Sequence, residues 1–393
     1  MKKLISLFLV LVLVLSIAGC ASKTATTSSA PASSAKAVAS SSSAETSAAA
    51  SASAAASASQ SAAAGSGSAA ASASQSGKYD LTGTTPVKIV FATPNASANI
   101  ESVYAEKFID LVKQYSNGQI TFDYTDGGVL GSQQELVEGT MYGVYNMTCT
   151  SIDNLQSWVP EVSVDSMPCL IDSYQQADLV FDGDFGQQVS ALIKDKTGIE
   201  ILNFEYCGFR NICSKKEIKT LDDAKGVLLR VPEVQTYIDL ATLMGFSYVT
   251  MSWSEAYTAM NTGIIEAVEV PLQNIYEQGF YDLGKNILMS RHLFNTNSIM
   301  INSKFMSSLP EVYQQIIRDA AKETTVEERV TCQQNEQNYV DELKAKGCAI
   351  NEWDADSYAQ LQEKFKTYWT DTATGISDTA SEYLTMIQNC KDK

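Results

Sequence analysis

Histidine occurs once in the 393 residues, as His292, which excludes multi-histidine metal sites and histidine-based catalytic triads. Arginine is nearly as scarce, with five residues (Arg210, Arg230, Arg291, Arg318 and Arg329) against 23 lysines. Positive charge as a whole is in deficit, with 28 Lys plus Arg, 45 Asp plus Glu and a net charge of −17. Residues 1–77 hold four lysines and one glutamate, leaving 24 basic and 44 acidic groups, net −20, for residues 78–393. So acidic a body gains nothing from long-range attraction to nucleic acid or to an anionic membrane face. The chain has no CxxC pair, P-loop, HExxH, GxSxG, glycine-rich dinucleotide turn or internal repeat. No metal, nucleotide or other cofactor is implied.

What is present begins with an address. Met1-Lys2-Lys3 is followed by an apolar run from Leu4 to Ile17, too short to span a bilayer comfortably and flanked like a secretory signal. The segment Leu15-Ser16-Ile17-Ala18-Gly19-Cys20 resembles the lipobox of bacterial lipoproteins, in which cleavage leaves the cysteine as a lipid-bearing N-terminus. The alternative is an ordinary signal peptide with an incidental cysteine. Residues 21–77 are almost all Ala, Ser, Thr, Gly and Gln, without one aromatic residue. Such a segment cannot bury enough apolar surface to offset the entropy of ordering, so it is expected to be a disordered tether. As a flexible coil it would span roughly 40 Å. A lipid on Cys20 would then hold the body at the outer face of the cell membrane. Seven cysteines remain (Cys149, Cys169, Cys207, Cys213, Cys332, Cys348 and Cys390), an odd number, expected to be mostly reduced and packed.

From residue 78 onward there is enough chain for two lobes or domains, and 45% of the whole sequence is hydrophobic. Val87–Ala92 reads as a strand. The next helix carries Tyr104, Phe108, Leu111, Val112 and Tyr115 on one face and stops at Asn117-Gly118. Gln119–Tyr124, Val144–Cys149, Ile199–Tyr206, Val227–Val231, Ser247–Thr250 and Ile264–Val268 are further strand candidates. Ser132-Gln133-Gln134-Glu135 and Ser252-Trp253-Ser254-Glu255 each open a helix with a capping-box pattern. This alternation predicts an α/β fold with largely parallel sheets. Residues 310–346 and 355–390 read as long helices that brace two lobes, with a short strand between them.

Two of the five arginines stand in unusual settings. Arg210 follows an apolar run and Gly208-Phe209, and Arg230 closes Val227-Leu228-Leu229 before Val231-Pro232. Strand ends in α/β sheets are where ligands bind, and guanidinium pairs with a carboxylate through two parallel hydrogen bonds, which lysine cannot do. The alternative for either arginine is an internal ion pair with one of the many acids. Arg318 and Arg329 fall on a charged helix and read as solvated or surface-paired. Trp253, Tyr257 and Tyr237 either line a cleft or pack as helix-face core. His292, with no nucleophile or second histidine beside it, reads as a structural hydrogen-bonding group.

Several segments taken together resemble one family. Gly226–Pro232, Leu243-Met244-Gly245, Met251–Met260 and Thr262–Glu266, with Ser116–Ile120, Gly128–Gly131 and Gly208–Asn211 upstream and Arg291-His292 and Ile301-Asn302 downstream, are similar to the solute-binding proteins of tripartite ATP-independent periplasmic (TRAP) transporters. The resemblance covers roughly residues 86–370. It implies a two-lobed periplasmic-binding-protein-like fold, with crossing strands, long C-terminal helices bridging the lobes, and a cleft that closes on a carboxylate. The second lobe would lie mainly at about 210–300.

The family pattern also assigns roles. Arg230 would make the main salt bridge to the ligand carboxylate and Arg210 a second polar contact. Glu135 would either touch the distal part of the ligand or serve only as the capping partner of Ser132. Two positions depart from the pattern: Val270 stands where an asparagine is common, and Cys169 where an aromatic is common. Both changes bear on which ligand class fits. The implied protein is a monomeric, membrane-tethered receptor, not an enzyme, that hands an organic acid to TRAP permease subunits. The rival readings are a receptor that presents its ligand to a membrane sensor and, more distantly, a surface enzyme acting on an acid.

Overall fold

The computed structural model describes residues 78–391; the expected signal segment, Cys20 and the Ala/Ser-rich tether lie outside the described residues. The strands are β1 (Val87–Ala92), β2 (Ile120–Thr125), β3 (Met147–Thr150), β4 (Ile199–Ile201), β5 (Glu205–Ser214), β6 (Leu228–Val231), β7 (Ser247–Thr250), β8 (Ala267–Pro271), β9 (Asn286–Asn302) and β10 (Ala349–Asn351). They neighbour one another in the order β2-β1-β3-β9-β5-β8-β6-β7, and β4 and β10 also pair with β9. The first unit forms as its residue pattern predicts. Phe108, Val112 and Tyr115 of the helix Ile100–Tyr115 pack on Ile89 and Phe91 of β1, and the helix stops where Asn117 and Gly118 turn to φ +48° and +76°. Both expected capping boxes are present, at Ser132 and at Ser252.

The sheets are mixed rather than largely parallel. β1–β2, β1–β3, β6–β7, β6–β8 and β9–β10 pair in parallel, whereas β5 runs antiparallel to β8 and β9, and β3 and β4 run antiparallel to β9. The cause is the 17-residue β9. Its first part pairs with β10 and β5 in one sheet, and its last five residues pair with β3 and β4 in the other. A strand that passes from sheet to sheet needs no crossover helix and accepts antiparallel partners. The expected single strand Ile199–Tyr206 is split into β4 and β5 by Asn203. That side chain accepts from the backbone N–H of Ile299 and donates to Glu205 and Thr325, taking the place of ladder bonds.

One helix, Glu311–Ala345, runs for 35 residues, or about 52 Å. Near its start Tyr313, Ile316, Ile317, Ala320 and Ala321 pack into the core around β1 and the helix Ile100–Tyr115. Further along, Cys332 joins the core that contains Phe209 and Phe294, and Leu343 joins the one that contains Val268 and Ile275. A single rigid element is thereby built into the hydrophobic cores of both sheets. The second helical stretch is broken, not continuous: Ala355–Ile376 ends at Ser377, whose hydroxyl accepts from Ala380 N and caps Asp378–Gln388.

All seven described cysteines are unpaired. Cys207 and Cys213 lie on the same extended strand, so roughly 20 Å of chain keeps them apart. Among the described residues no helix is long and apolar enough to cross a membrane.

Candidate ligand-binding cleft

A narrow cleft opens where the two sheets face each other. The side that carries β1 to β3 contributes Asn95, Glu101, Gln133, Ser151 and Asp153. Facing them are Arg210, Arg230, Pro232, Tyr237, Trp253, Val270 and Asn274, with Asn295 and Asn297 of β9 between the two sides. About 40 Å³ is open to water centres, enough for a few waters. The sides already meet around it. Tyr237 donates its hydroxyl to Asp153 Oδ2 at 2.7 Å, and Gln156 Nε2 donates to Thr236 Oγ1 at 2.6 Å. At Gly128 a Cβ would sit 3.3 Å from that of Ser254, so the backbone there approaches closely.

Arg230 is the unusual group in this cleft. It is 2% exposed, yet no carboxylate among the described residues pairs with it. Its Nε and Nη2 both donate to the Met251 carbonyl, at 3.2 and 2.8 Å, and Nη1 donates to no described residue. The Trp253 ring lies 5.8 Å from the guanidinium carbon. Burial pulls its pKa down to about 10; the charge of Glu269 works against that fall, and that of Arg210 adds to it. A desolvated cation without a counter-ion is costly to keep, and an incoming carboxylate would relieve that cost.

Arg210 is the opposite case. Its Nε and Nη2 fork onto the Glu269 carboxylate at 2.6 and 2.7 Å, and Nη1 donates to Asn295 Oδ1 at 2.8 Å. Burial opposes its charge but Glu269 outweighs burial, so its pKa is raised. Burial likewise opposes the Glu269 charge, and Arg210 and His292 outweigh it, holding that carboxyl below its ordinary value. The strand-end setting that the sequence suggested does not hold for Arg210, and the two arginines are not on neighbouring strands. Arg210 is in mid-strand on β5, opposite Pro271, and β8 lies between β5 and β6. That intervening strand brings in Glu269, which consumes one of the two cations.

The remaining sequence-picked residues divide cleanly. Tyr237, Trp253 and Val270 line the cleft. Glu135 is exposed, its carboxylate accepts from Ser132 N at 2.7 Å, and it is not among the residues lining the cleft; Gln133 of the same helix is. Cys169 lies away from the cleft, its backbone N–H donating to the carbonyl of His292 and its side chain packed against the core that holds Trp369. His292 is buried between Ser290 Oγ at 2.7 Å and Glu269 at 3.3 Å, a structural position that steadies the Arg210 partner.

Sequence reasoning passed over Asn95, Glu101, Gln133, Ser151, Asp153, Asn274, Asn295 and Asn297. Two signals were available: Pro94-Asn95 follows the end of β1, and Asn295 and Asn297 stand two apart on one strand, hence on one face. The amide absent at Val270 is matched by one at Asn274, brought into the cleft by the helix that follows Pro271.

Behind the cleft lie buried acids. Burial and then nearby Glu101 push the Glu205 carboxyl from 4.5 up to about 7, although the Asn203 hydrogen bond works the other way; Glu328 is raised by burial and by Glu205. For a carboxyl whose folded pKa exceeds its unfolded one, the folded state binds more protons between the two values. Stability is therefore full below about pH 4.5 and falls as pH rises through about 7. The unfolding midpoint of Glu205→Gln should decline less than that of the wild type between pH 5 and pH 8. Parallel curves for the two proteins would show that Glu205 is ionised in the fold at pH 5.

Comparison with known proteins agrees with this architecture. A family model for bacterial extracellular solute-binding proteins, family 7, matches residues 91–375. The sialic acid-binding periplasmic protein of Vibrio cholerae is 25% identical over 271 residues, 69% of this chain and 84% of that protein. A TRAP periplasmic solute-binding protein from Haemophilus influenzae, crystallised with bound L-gulonate, superposes with a TM-score of 0.73 at 25% identity, covering 77% of this chain and 99% of that one. The sugar acid binding protein of Advenella mimigardefordensis in complex with galactonate has the same fold, with a TM-score of 0.74 at 24% identity over 78% of this chain and 100% of that one.

Proposed function

This chain belongs to the bacterial extracellular solute-binding proteins of family 7, and from that membership we propose that its cleft captures an organic acid for delivery to TRAP transporter subunits in the membrane. The observation that carries the ligand class is Arg230, a buried guanidinium with a free Nη1 and no carboxylate partner among the described residues. Sialic acid, L-gulonate and galactonate, named for three relatives, are all carboxylic acids. The acid's carboxylate sits on Arg230 beside Trp253, and the lobes close over it through Tyr237–Asp153 and Gln156–Thr236. Attraction is local, because the −20 of the body repels an anion at long range, so affinity depends only moderately on salt. The second lobe corresponds mainly to about residues 210–300. Cys20 carries the lipid, and residues 21–77 form the tether that keeps this monomeric receptor at the outer face of the membrane.

The test is a thermal-shift screen of the full chain against organic acids, sugar acids, oxo acids and their neutral amides or alcohols. An acid at 100 times its dissociation constant adds about 2.7 kcal/mol, a shift of several degrees. Shifts confined to carboxylates support the reading. Equal shifts from the neutral analogues, or none from any acid with the denatured protein releasing no bound acid to mass spectrometry, would overturn it.

A further inference from the structure

On the side of the cleft that carries β1 to β3, the helix Ile100–Tyr115 starts at the cleft wall. Its N-cap residue Asn99 makes no side-chain capping bond, and first-turn N–H groups have no partner inside a helix. The opposite side of the cleft supplies partners. From the helix Leu272–Glu277, which follows β8, Glu277 Oε2 accepts from Ile100 N–H at 3.1 Å and Asn274 Nδ2 donates to Glu101 Oε1 at 3.1 Å. The next residue, Gln278, donates its amide to Asn99 Oδ1 at 2.6 Å. Consecutive residues Asn99, Ile100 and Glu101 are thus held by one turn from the facing side. The second Glu277 oxygen accepts from Tyr339 Oη of the long helix at 2.9 Å. Asn99, Glu101 and Asn274 are all buried.

This clasp sets two carboxyl groups against each other across the cleft. Burial and then the charge of Glu101 push Glu277 up to about 7, although Tyr339, the Ile100 N–H and Asn99 work the other way. Burial raises Glu101 as well, against its own backbone N–H, Asn274, Cys207 of β5 and Arg210. Two further acids, Glu205 of β5 and Glu328 of the long helix, are raised in part by the charge of Glu101. Drawing the two sides apart returns Glu277 to water and takes Glu101 from beside it, so its pKa falls back towards 4.5. The closed form therefore holds more protons between 4.5 and about 7; its advantage is full below that window and is lost as pH rises through about 7. Resting on the receptor reading above, we infer that the clasp is a proton-linked lock: closing the cleft takes up a proton from solvent on the Glu101–Glu277 pair, so the receptor grips its acid more tightly as pH falls. Glu277 does not line the cleft; it is a positioning residue that sets how readily the two sides meet. By linkage, binding of the acid itself draws protons from solvent.

Titration calorimetry on the full chain tests this, with galactonate, L-gulonate and the acid that gives the largest shift in the thermal-shift screen as probes. Carboxylates with a pKa of about 4 stay ionised from pH 6 to pH 8.5, and Arg230, at about 10, stays charged. Wild-type affinity should rise about tenfold from pH 8.5 to pH 6. Near pH 7, binding enthalpies in buffers of different ionisation enthalpy should show net proton uptake. Glu277→Gln keeps the shape of the protonated acid and still accepts from Ile100 N–H. It should bind about tenfold more tightly than the wild type at pH 8.5 and about equally at pH 6, with most of the proton uptake gone. If that variant does not fold, Glu101→Gln, which removes the opposing charge, should reduce the pH dependence. Wild-type affinity that is independent of pH, or that falls towards acid pH, overturns the lock and leaves the receptor reading intact. A pH dependence unchanged in the variant, or affinity lowered equally at every pH, overturns the assignment to this pair. Binding of none of these acids, nor of any other in the screen, removes the receptor reading and the lock together.

Discussion

Arg230→Met is expected to abolish acid binding and at the same time to raise the unfolding midpoint of the unliganded protein. Both effects follow from one fact: the guanidinium is buried, its hydrogen bonds among the described residues go to one backbone carbonyl, and no described carboxylate pairs with it. Desolvating a charge costs several kcal/mol, and replacing buried charges with apolar side chains of similar volume has been neutral to stabilising by about 1–4 kcal/mol. Arg230→Lys keeps the charge but loses the planar fork, so affinity should fall at least about tenfold, or about 1.4 kcal/mol. Calorimetric titration with the best acid from a thermal-shift screen reads the affinity, and denaturant unfolding without ligand reads the stability. A less stable unliganded Arg230→Met protein would mean that Arg230 holds the fold rather than waits for a ligand. Undiminished affinity in Arg230→Lys would place the carboxylate elsewhere.

The second arginine behaves in the reverse way. Arg210→Met leaves the Glu269 carboxylate buried with only His292 beside it, and Glu269→Leu leaves the Arg210 guanidinium with Asn295 and the Glu269 backbone carbonyl. Breaking a buried pair by removing one partner costs about 3–5 kcal/mol, because the survivor is an uncompensated charge. Each single variant should lose that much in urea unfolding. The double variant Arg210→Met/Glu269→Leu should be more stable than either single one, since both charges have gone. A double variant as unstable as the sum of the singles would mean that the pair matters through its shape and packing and not through its charge. Arg210 and Arg230, so alike in sequence, are thus separated by the sign of their effect on the unliganded fold. The difference is Glu269.

Residue order alone carried a good deal of this. The alternation of short apolar runs with amphipathic helices, the Asn117-Gly118 stop and the two capping boxes are local features, and local features survive folding because backbone dihedrals and hydrogen bonds to near neighbours set them. β1 and β7 appear with the bounds read from the sequence. Arg230, Tyr237, Trp253 and Val270 were picked by residue type and family likeness, and each lines the cleft. Family membership was legible in the order of short motifs between Ser116 and Asn302, and the family model matches residues 91–375.

Only the tertiary structure decided which of the two arginines is free. That depends on β8 sliding between β5 and β6 and delivering Glu269 to Arg210, a pairing across 59 residues that no local pattern encodes. The same holds for the passage of β9 from one sheet to the other, which turns parallel sheets into mixed ones. It also holds for Asn95, Glu101 and Asp153, which look like ordinary polar residues in the sequence and become notable only when burial removes water from around them. Helix and strand periodicity report on neighbours a few residues apart. Charge pairing and desolvation depend on what long-range contacts bring together, and those contacts separate an anchored receptor cleft from a merely stable ion pair.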